Sequence, residues 1–173
     1  MIYVFLAQGF EETEAITPID MLRRCGKEVI TVTGAHNIPV TCDITIDETV
    51  TDGLEMIVLP GGMPGTKNLA ADKRVNDLIA YANNNGLLIG AICAAPSILG
   101  GLGLLNGRKA VCYPGFENAL KGADVLTVPA VRDGNIITAR GAGAALEFSE
   151  ELITALFDRK TAEELAGNII WTK

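Results

Sequence analysis

The chain has 173 residues, of which 49% are hydrophobic and 20% charged, a composition typical of a soluble globular domain with a sizeable core. A net charge of −7 argues against a broad basic face for nucleic acid, and no apolar run approaches the roughly 18 residues that span a bilayer. Four cysteines without close pairing favour a reducing compartment and show no zinc motif. We expect one cytoplasmic domain over residues 1–173, with no cofactor, metal, nucleic-acid or membrane partner.

In the first half of the chain, the pattern of apolar residues predicts a strand, an amphipathic helix and a second strand. Residues 2–7 are nearly all apolar, as in a strand that is buried on both faces. The helix is expected within residues 11–28, with Pro18 early in it, where a missing amide hydrogen matters least. A second strand is expected over residues 28–34. Alternating polar and apolar residues over 40–50 suggest an exposed antiparallel piece.

The second half of the chain continues to alternate predicted strands with predicted helices. A strand over residues 55–60 is followed by a loop, GGMPGTKN, and a strand over 87–92 is followed by a small-residue helix after Cys93. Asp133-Gly134 lies between two β-rich runs and indicates a hairpin. Further helices are predicted in DKRVNDLIAYANNNG, GAALEFSEELITALFDRK and TAEELAGNIIW.

The alternation predicts an α/β fold with a doubly wound, mostly parallel sheet between layers of helices. Ligands bind such sheets at the carboxyl ends of the strands, near a topological switch point. The loops QGFEETE and PGGMPG and the turn at Cys93 all leave strands at that edge. We therefore expect the functional site to form from these three loops.

Cys93 lies between a strand and a run of small residues, which is the pattern of a nucleophile elbow. Gly90, Ala91, Ala94 and Ala95 leave room for a strained backbone, and a helix N-terminus beside the sulfur would favour a thiolate. The amide of Ala94 is then a candidate oxyanion donor. The alternative is a buried packing cysteine, because close contact between a strand and a helix also requires small residues.

The other two loops supply candidate partners for Cys93. Gly61 and Gly62 directly follow a core strand, so their amide hydrogens could form the second arm of an oxyanion hole. Glu14 lies one turn beyond its acidic neighbours and could act as a general base or, when protonated, share a hydrogen bond with the sulfur. Neither GGMPG nor GAGAAL has the spacing of a nucleotide-binding loop.

The only histidine in the chain is His36, which follows the second predicted strand. Cysteine hydrolases generally pair the thiol with a histidine, but we expect His36 to be a surface loop residue. The cysteine would then act as an intrinsically acidic thiolate, which either adds to a reactive aldehyde or becomes oxidised.

Together these motifs resemble the ThiJ/PfpI superfamily, in the branch of the parkinsonism-associated deglycase and its bacterial relatives. The resemblance spans the chain through GFEETEAITPIDMLRRCG, VLPGGMPGTKNL, LLIGAICAAPSILG and IITARGAGAALEFS. It implies a flavodoxin-like fold of the class I glutamine amidotransferase type, and a homodimer. It also implies that Cys93 is the nucleophile and redox-sensitive cysteine, and that Glu14 is a protonated glutamate bonded to it. Gly61, Gly62 and Ala94 would line the oxyanion region.

The resemblance also places Arg23 and Arg24 near the pocket, where one of them could hold an anion. It places Arg140 and Gly141 in a turn near the pocket, and leaves open whether they bind an anion or only line the pocket. This sequence departs from the family at two positions. The protease-like branch has a histidine directly after the cysteine, where this chain has Ala94, so a peptidase is not expected. The deglycase branch commonly has a histidine before a proline, where this chain has Tyr113, a poor base near neutral pH.

Two functions follow from the motifs and the resemblance. One is a glutathione-independent glyoxalase or deglycase, in which the Cys93 thiolate adds to a dicarbonyl such as methylglyoxal or acts on an early glycation adduct. The other is a redox-sensing or chaperone-like stress protein with little turnover, in which Cys93 is oxidised to a sulfinate. The scarcity of histidine motivates this alternative.

Overall fold

The computed structural model describes residues 1–32, 35–36 and 38–172, and the side chains of residues 31–39 lie outside this description. The strands within it are β1 (Ile2–Phe5), β2 (Val29–Val32), β3 (Ala35–His36), β4 (Ile38–Pro39), β5 (Met56–Leu59), β6 (Leu88–Ile92), β7 (Lys109–Ala110), β8 (Asp124–Val125), β9 (Ala130–Asp133) and β10 (Ile136–Ala139). The helices within it are α1 (Glu12–Arg24), α2 (Gly65–Ala71), α3 (Lys73–Asn84), α4 (Pro96–Gly101), α5 (Ala145–Leu156) and α6 (Arg159–Asn168).

The central sheet contains six strands in the order β2–β1–β5–β6–β10–β9. Neighbouring strands are parallel, except that β9 is antiparallel to β10. The chain passes from β1 to β2 on one side and then to β5 on the other side of β1. The topological switch point therefore lies between β1 and β5. This sheet confirms the doubly wound, mostly parallel α/β fold that the sequence predicts.

The core is divided between the two faces of the sheet. In β1, Ile2 and Val4 pack on the face that holds Phe148 of α5, together with residues of α1 and α6. Tyr3 and Phe5 point to the opposite face, which α3 and α4 cover. Because both faces are covered, every residue of β1 is buried, which explains why this segment is nearly all apolar.

The predicted hairpin is confirmed between β9 and β10, with Gly134 in the left-handed region at φ 62°. The prediction for residues 40–50 is wrong. Apart from an isolated bridge at Ile44, this segment is irregular and turns through a 3₁₀ helix at Ile46–Glu48. Both the N–H and the hydroxyl of Thr45 donate to the Glu48 carboxylate, and this capping box favours the turn over an extended strand.

Two further local predictions are corrected. Pro18 lies inside α1 rather than in its first turn, and it is buried against the core. Packing thus accommodates a residue that cannot donate the usual helical hydrogen bond. The loop predicted over GGMPGTKN is shorter than expected, because α2 begins at Gly65. The Gly65 amide donates to Gly9 O at 3.1 Å, and the Thr66 amide donates to Gly62 O at 2.9 Å.

Candidate active site

Cys93 connects β6 to α4 through a sharp turn. Its φ is 66°, in the left-handed region that residues other than glycine rarely adopt. Backbone hydrogen bonds hold the turn, because the Cys93 amide donates to Ala139 O at 2.9 Å and the Tyr113 amide donates to Cys93 O at 2.8 Å. Helix α4 begins only at Pro96 and has six residues. The sulfur therefore does not lie at the first residue of a long helix, as the sequence suggested.

Glu14 reaches Cys93 from the first turn of α1 and is only 1% exposed. Its Oε2 accepts a hydrogen bond from the Gly61 amide at 2.9 Å, and its carboxylate also accepts from the Ala142 amide. The same carboxyl group shares a hydrogen bond with the Cys93 side chain. The Glu14 amide donates to the carboxylate of the N-cap residue Glu11 at 2.7 Å, which orients the first turn.

The loop after β5 packs against both Glu14 and Cys93. A Cβ at Gly61 would lie 2.5 Å from Glu14 Oε2 and 2.6 Å from Cys93 Cβ, so the approach requires glycine. The amides of Gly62 and Ala94 donate to the sulfur of Cys93. The Gly61 amide is directed to Glu14 instead, so the donors that face the sulfur are Gly62 and Ala94.

Burial dominates the ionisation of both groups. It raises the pKa of Glu14 to about 7, although hydrogen bonds from Cys93, Gly61 and Ala142 act in the opposite direction. Burial, the Glu14 charge and the hydrogen bond to Glu14 raise the pKa of the Cys93 thiol to about 12. The independently acidic thiolate expected from the sequence is therefore not formed beside an ionised Glu14.

The two groups instead titrate as a pair that loses one proton near pH 7. Two of the causes that raise the pKa of the thiol come from the Glu14 carboxylate, and both disappear when the remaining proton lies on its oxygen. In that arrangement the carboxylic acid donates to a thiolate, which also accepts from the amides of Gly62 and Ala94. Burial, the largest cause, still opposes the thiolate in this arrangement, so proton transfer within the pair supplies the nucleophilic sulfur only as its minor form.

A small apolar cavity of about 150 Å³ opens at the sulfur. It is lined by Gly62, Met63, Cys93, Ala94, Tyr113 and Phe116. The rings of Tyr113 and Phe116 pack edge to face with their centroids 6.5 Å apart. Tyr113 lies at the rim of the cavity and is 51% exposed. A cavity of this size and polarity suits a small uncharged group next to the thiol.

The predicted anion-binding arginines of α1 do not lie at this site within the described chain. Arg24 is the last residue of α1, at the end opposite Glu14, and forms an exposed ion pair with Asp20 at 2.7 Å. Arg23 donates to Val29 O and pairs with Asp43. These contacts occupy both guanidinium groups at the far end of the helix.

Arg140, unlike Arg23 and Arg24, lies beside the pocket. Arg140 follows β10 and lines a second cavity, which it shares with Tyr113. The prediction that His36 lies in a loop is wrong, because its backbone forms strand β3 and pairs with Ile38 of β4. Its side chain lies outside the described residues, so its predicted surface position stays a prediction.

The resemblance placed the turn after β10 near the pocket but left its role open, and the structure shows what that segment contacts. The Ala142 amide donates to Glu14, and Gly141 lies between Glu14 and Tyr113, since a Cβ there would be 3.8 Å and 3.3 Å from them. The sequence signal was the ARGAGA stretch, which directly follows a strand. A strand-ending loop rich in small residues is the type of segment whose amides can approach a buried carboxylate.

The fold and the site define a class: a doubly wound α/β protein with a cysteine on a strand-to-helix turn and a buried glutamate bonded to its thiol. The chain belongs to the DJ-1/PfpI family, whose family model matches residues 1–155. Among its relatives is the protein DJ-1alpha of Drosophila melanogaster, 38% identical across 98% of this chain and 83% of the relative. A crystal structure of a DJ-1 superfamily protein from Salmonella typhimurium is 35% identical and superposes with a TM-score of 0.92, over 99% of this chain and 98% of that one.

Two other relatives are a longer plant protein and an archaeal protein that is named for an activity. DJ-1 homolog B of Arabidopsis thaliana is 34% identical over 95% of this chain, which spans 40% of that relative. A protein of Pyrococcus abyssi that is named a deglycase is 29% identical over 90% of this chain and 98% of its own length.

The described residues offer no membrane-spanning helix and no metal-binding cluster. Across residues 1–32, 35–36 and 38–172, no helix is long and apolar enough to cross a membrane. The same part of the chain contains no cluster of three or more histidine, cysteine, aspartate or glutamate side chains that could hold a metal ion.

Replacing Gly61 by alanine is expected to destabilise the protein by about 1–3 kcal/mol, because the new methyl group would overlap Glu14 and Cys93. Urea unfolding of Gly61→Ala against wild type measures this cost. Gly101→Ala is the matched control, since a Cβ there meets nothing within 4 Å and lies at the end of a helix. Equal losses for the two variants would contradict the close approach.

The free energy of unfolding is expected to fall as pH rises from about 4.5 to 7, by on the order of 3 kcal/mol from Glu14 alone. In this window the native state keeps a proton that the unfolded state has released, so raising the pH favours unfolding. Urea unfolding at several pH values should show this slope in wild type and a smaller one in Glu14→Gln. Identical slopes would contradict the raised pKa of Glu14.

Proposed function

We propose that the protein is a cysteine-dependent enzyme of the glyoxalase or deglycase type, with a stress-protective role, acting on reactive dicarbonyls or early glycation adducts. The observation that carries this proposal is the hydrogen-bonded pair of Cys93 and Glu14, with the amides of Gly62 and Ala94 directed at the sulfur. A nucleophile and candidate oxyanion donors thus line one small cavity, and a proton carrier is bonded to the nucleophile. The deglycase name of the Pyrococcus abyssi relative supports the same chemistry.

The first step forms a carbon–sulfur bond. The Cys93 thiolate attacks the aldehyde carbon of methylglyoxal, and the amides of Gly62 and Ala94 stabilise the oxyanion that develops. Glu14, which carries the proton of the pair, gives it to this oxygen, so that a neutral hemithioacetal and a glutamate carboxylate result. The raised pKa of Glu14, about 7, suits a group that must give and take a proton near neutral pH.

The second step is an internal redox rearrangement that needs no external oxidant. The Glu14 carboxylate removes the proton from the former aldehyde carbon, and a proton is returned to the neighbouring ketone carbon through an enediol. The first carbon is thereby oxidised to a thioester and the second is reduced to an alcohol. Water then cleaves the carbon–sulfur bond, which releases lactate and regenerates the pair.

Glycation adducts enter the same sequence by exchange. The carbon that is bonded to the adduct's thiol or amine transfers to Cys93 sulfur, and the thiol or amine leaves with the proton that the pair supplies. The bound fragment then follows the same rearrangement and hydrolysis to lactate. One site can therefore account for both the glyoxalase and the deglycase activity.

A redox-sensing or chaperone-like stress protein is the second candidate function. Its motivation is that the chain has a single histidine, and Tyr113 lies where an imidazole base could assist turnover. Two molecules of peroxide would oxidise the Cys93 thiolate to a sulfinate and release two of water. The amides of Gly62 and Ala94 and a protonated Glu14 could then bond to the sulfinate oxygens.

The assembly, location and domain organisation belong to the same proposal. We propose a homodimer, a cytoplasmic location and one domain over residues 1–173. Packing of α5 and α6 into the core that β1 and α1 also form supports the single domain.

Purified protein incubated with methylglyoxal is expected to release lactate. The rate should fall by about 100-fold or more in Cys93→Ala and in Glu14→Gln, because the first lacks the nucleophile and the second cannot transfer a proton. Cys25→Ala is the matched control, since Cys25 caps the far end of α1 and should retain the wild-type rate. Equal lactate release by wild type and Cys93→Ala would end the enzymatic proposal.

Mild peroxide separates the two candidate functions. The redox function predicts a gain of two oxygen atoms by intact mass, lost in Cys93→Ser and retained in Cys25→Ala. Oxidation spread over several cysteines, with no preference for Cys93, would contradict the sensor function.

A further inference from the structure

A second and larger cavity lies beside the pocket of Cys93. Its volume is about 460 Å³, within the range of small-molecule sites in proteins. It is lined by Tyr113, Pro114, Thr127, Pro129, Arg140, Gly141, Ala142, Gly143, Ala144 and Glu147. We refer to it below as the outer cavity, and to the 150 Å³ space at the sulfur as the thiol pocket.

The outer cavity and the thiol pocket are adjacent parts of one site. Tyr113 lines both, so its half-exposed ring lies at the boundary between them. Gly141 and Ala142 form a wall of the outer cavity, and the same two residues border the Glu14 carboxyl group. A Cβ on Gly141 would be 3.8 Å from Glu14 Oε1, and the Ala142 amide donates to that carboxylate. A ligand could therefore reach Cys93 with one end while its other end occupies the outer cavity.

The two spaces differ in polarity. The thiol pocket is formed by apolar side chains and backbone, whereas the outer cavity contains one cationic and one anionic side chain, Arg140 and Glu147. Within the described chain, Arg140 donates one side-chain hydrogen bond, from Nη1 to Thr127 O at 3.1 Å, so Nε and Nη2 remain available. The two side chains form no ion pair with each other among the described residues. Both charges can therefore bind a ligand.

We propose that the outer cavity binds the head group of a free α-amino acid, with its carboxylate on the Arg140 guanidinium and its ammonium on the Glu147 carboxylate. A planar guanidinium binds a carboxylate through paired hydrogen bonds, and a carboxylate accepts readily from an ammonium. Opposite charges in one cavity favour a zwitterion over a simple anion, which Glu147 would repel. This inference rests on the proposed function and deepens it by naming the substrate class.

The substrate class is then a dicarbonyl adduct on the side chain of a free amino acid. Methylglyoxal bonded to the thiol of free cysteine leaves the ammonium and the carboxylate of that amino acid intact. Its carbonyl-derived carbons can enter the apolar thiol pocket while the head group stays in the outer cavity. A residue inside a protein chain has its amine and carboxyl in amide bonds, so it lacks the charges that Arg140 and Glu147 would bind.

Binding can be tested without catalysis by using Cys93→Ser protein and L-norleucine, which has a free head group and an unreactive apolar side chain. We expect norleucine to shift the backbone amide resonances of residues 141–144, and N-acetylnorleucine amide to bind at least about tenfold more weakly. Arg140→Ala and Glu147→Gln should each abolish most of this preference. Arg132→Ala is the matched control, since Arg132 lies on the hairpin and donates to Gly134 O. Equal shifts with both probes, or none, would overturn the proposal even if Arg140→Ala failed to fold.

Kinetics then separate this proposal from the proposed function. The ratio of kcat/KM for the methylglyoxal adduct of free cysteine to that of N-acetylcysteine methyl ester should exceed about tenfold in wild type and approach one in Arg140→Ala. Lactate from both adducts at equal efficiency would overturn the head-group site and leave the enzyme proposal standing. Selective binding of norleucine without lactate from any substrate would overturn the enzyme proposal and support the head-group site.

Discussion

The hydrogen bond between Cys93 and Glu14 is the interaction on which the rest of the site depends. It joins the end of β6 to the start of α1, and it exists because the loop after β5 passes close enough to place Gly61 against both residues. The Gly61 amide bonds to the carboxylate that the thiol also contacts. The close approach of three chain segments therefore determines the ionisation of the sulfur, which a cysteine on a turn could not achieve alone.

The same constraint explains why the candidate site residues gather at one edge of the sheet. Strands β1, β5 and β6 are neighbours and run parallel, so the residues after them emerge side by side next to the switch point. β10 adds a fourth loop, whose Ala142 amide completes the bonding of Glu14. Burial at this edge raises the pKa of the glutamate into the neutral range, so its carboxyl group can bind and release a proton near neutral pH.

The agreement between sequence and structure is closest where a local pattern has only one structural solution. Continuous apolar runs predicted the buried strands, and Asp133-Gly134 predicted the β9–β10 hairpin. The failures occur where local patterns compete with longer-range contacts. Residues 40–50 alternate like a strand, but the bonds of Thr45 to Glu48 favour a turn. Pro18 lies inside α1 because burial of that helix face compensates for a weakened hydrogen-bond pattern.

The sequence by itself determined the doubly wound fold and the turn at Cys93, because spacing and residue type specify both. It left the role of Glu14 open, and only the family resemblance paired that residue with Cys93. Only the tertiary structure decided which amide faces which atom: Gly61 and Ala142 bond to the carboxylate, whereas Gly62 and Ala94 face the sulfur. It also raised the pKa of the thiol that the sequence had suggested would be acidic, and it separated Arg24 from the site by the length of α1. Burial and charge depend on residues distant in the chain, so no local motif can specify them.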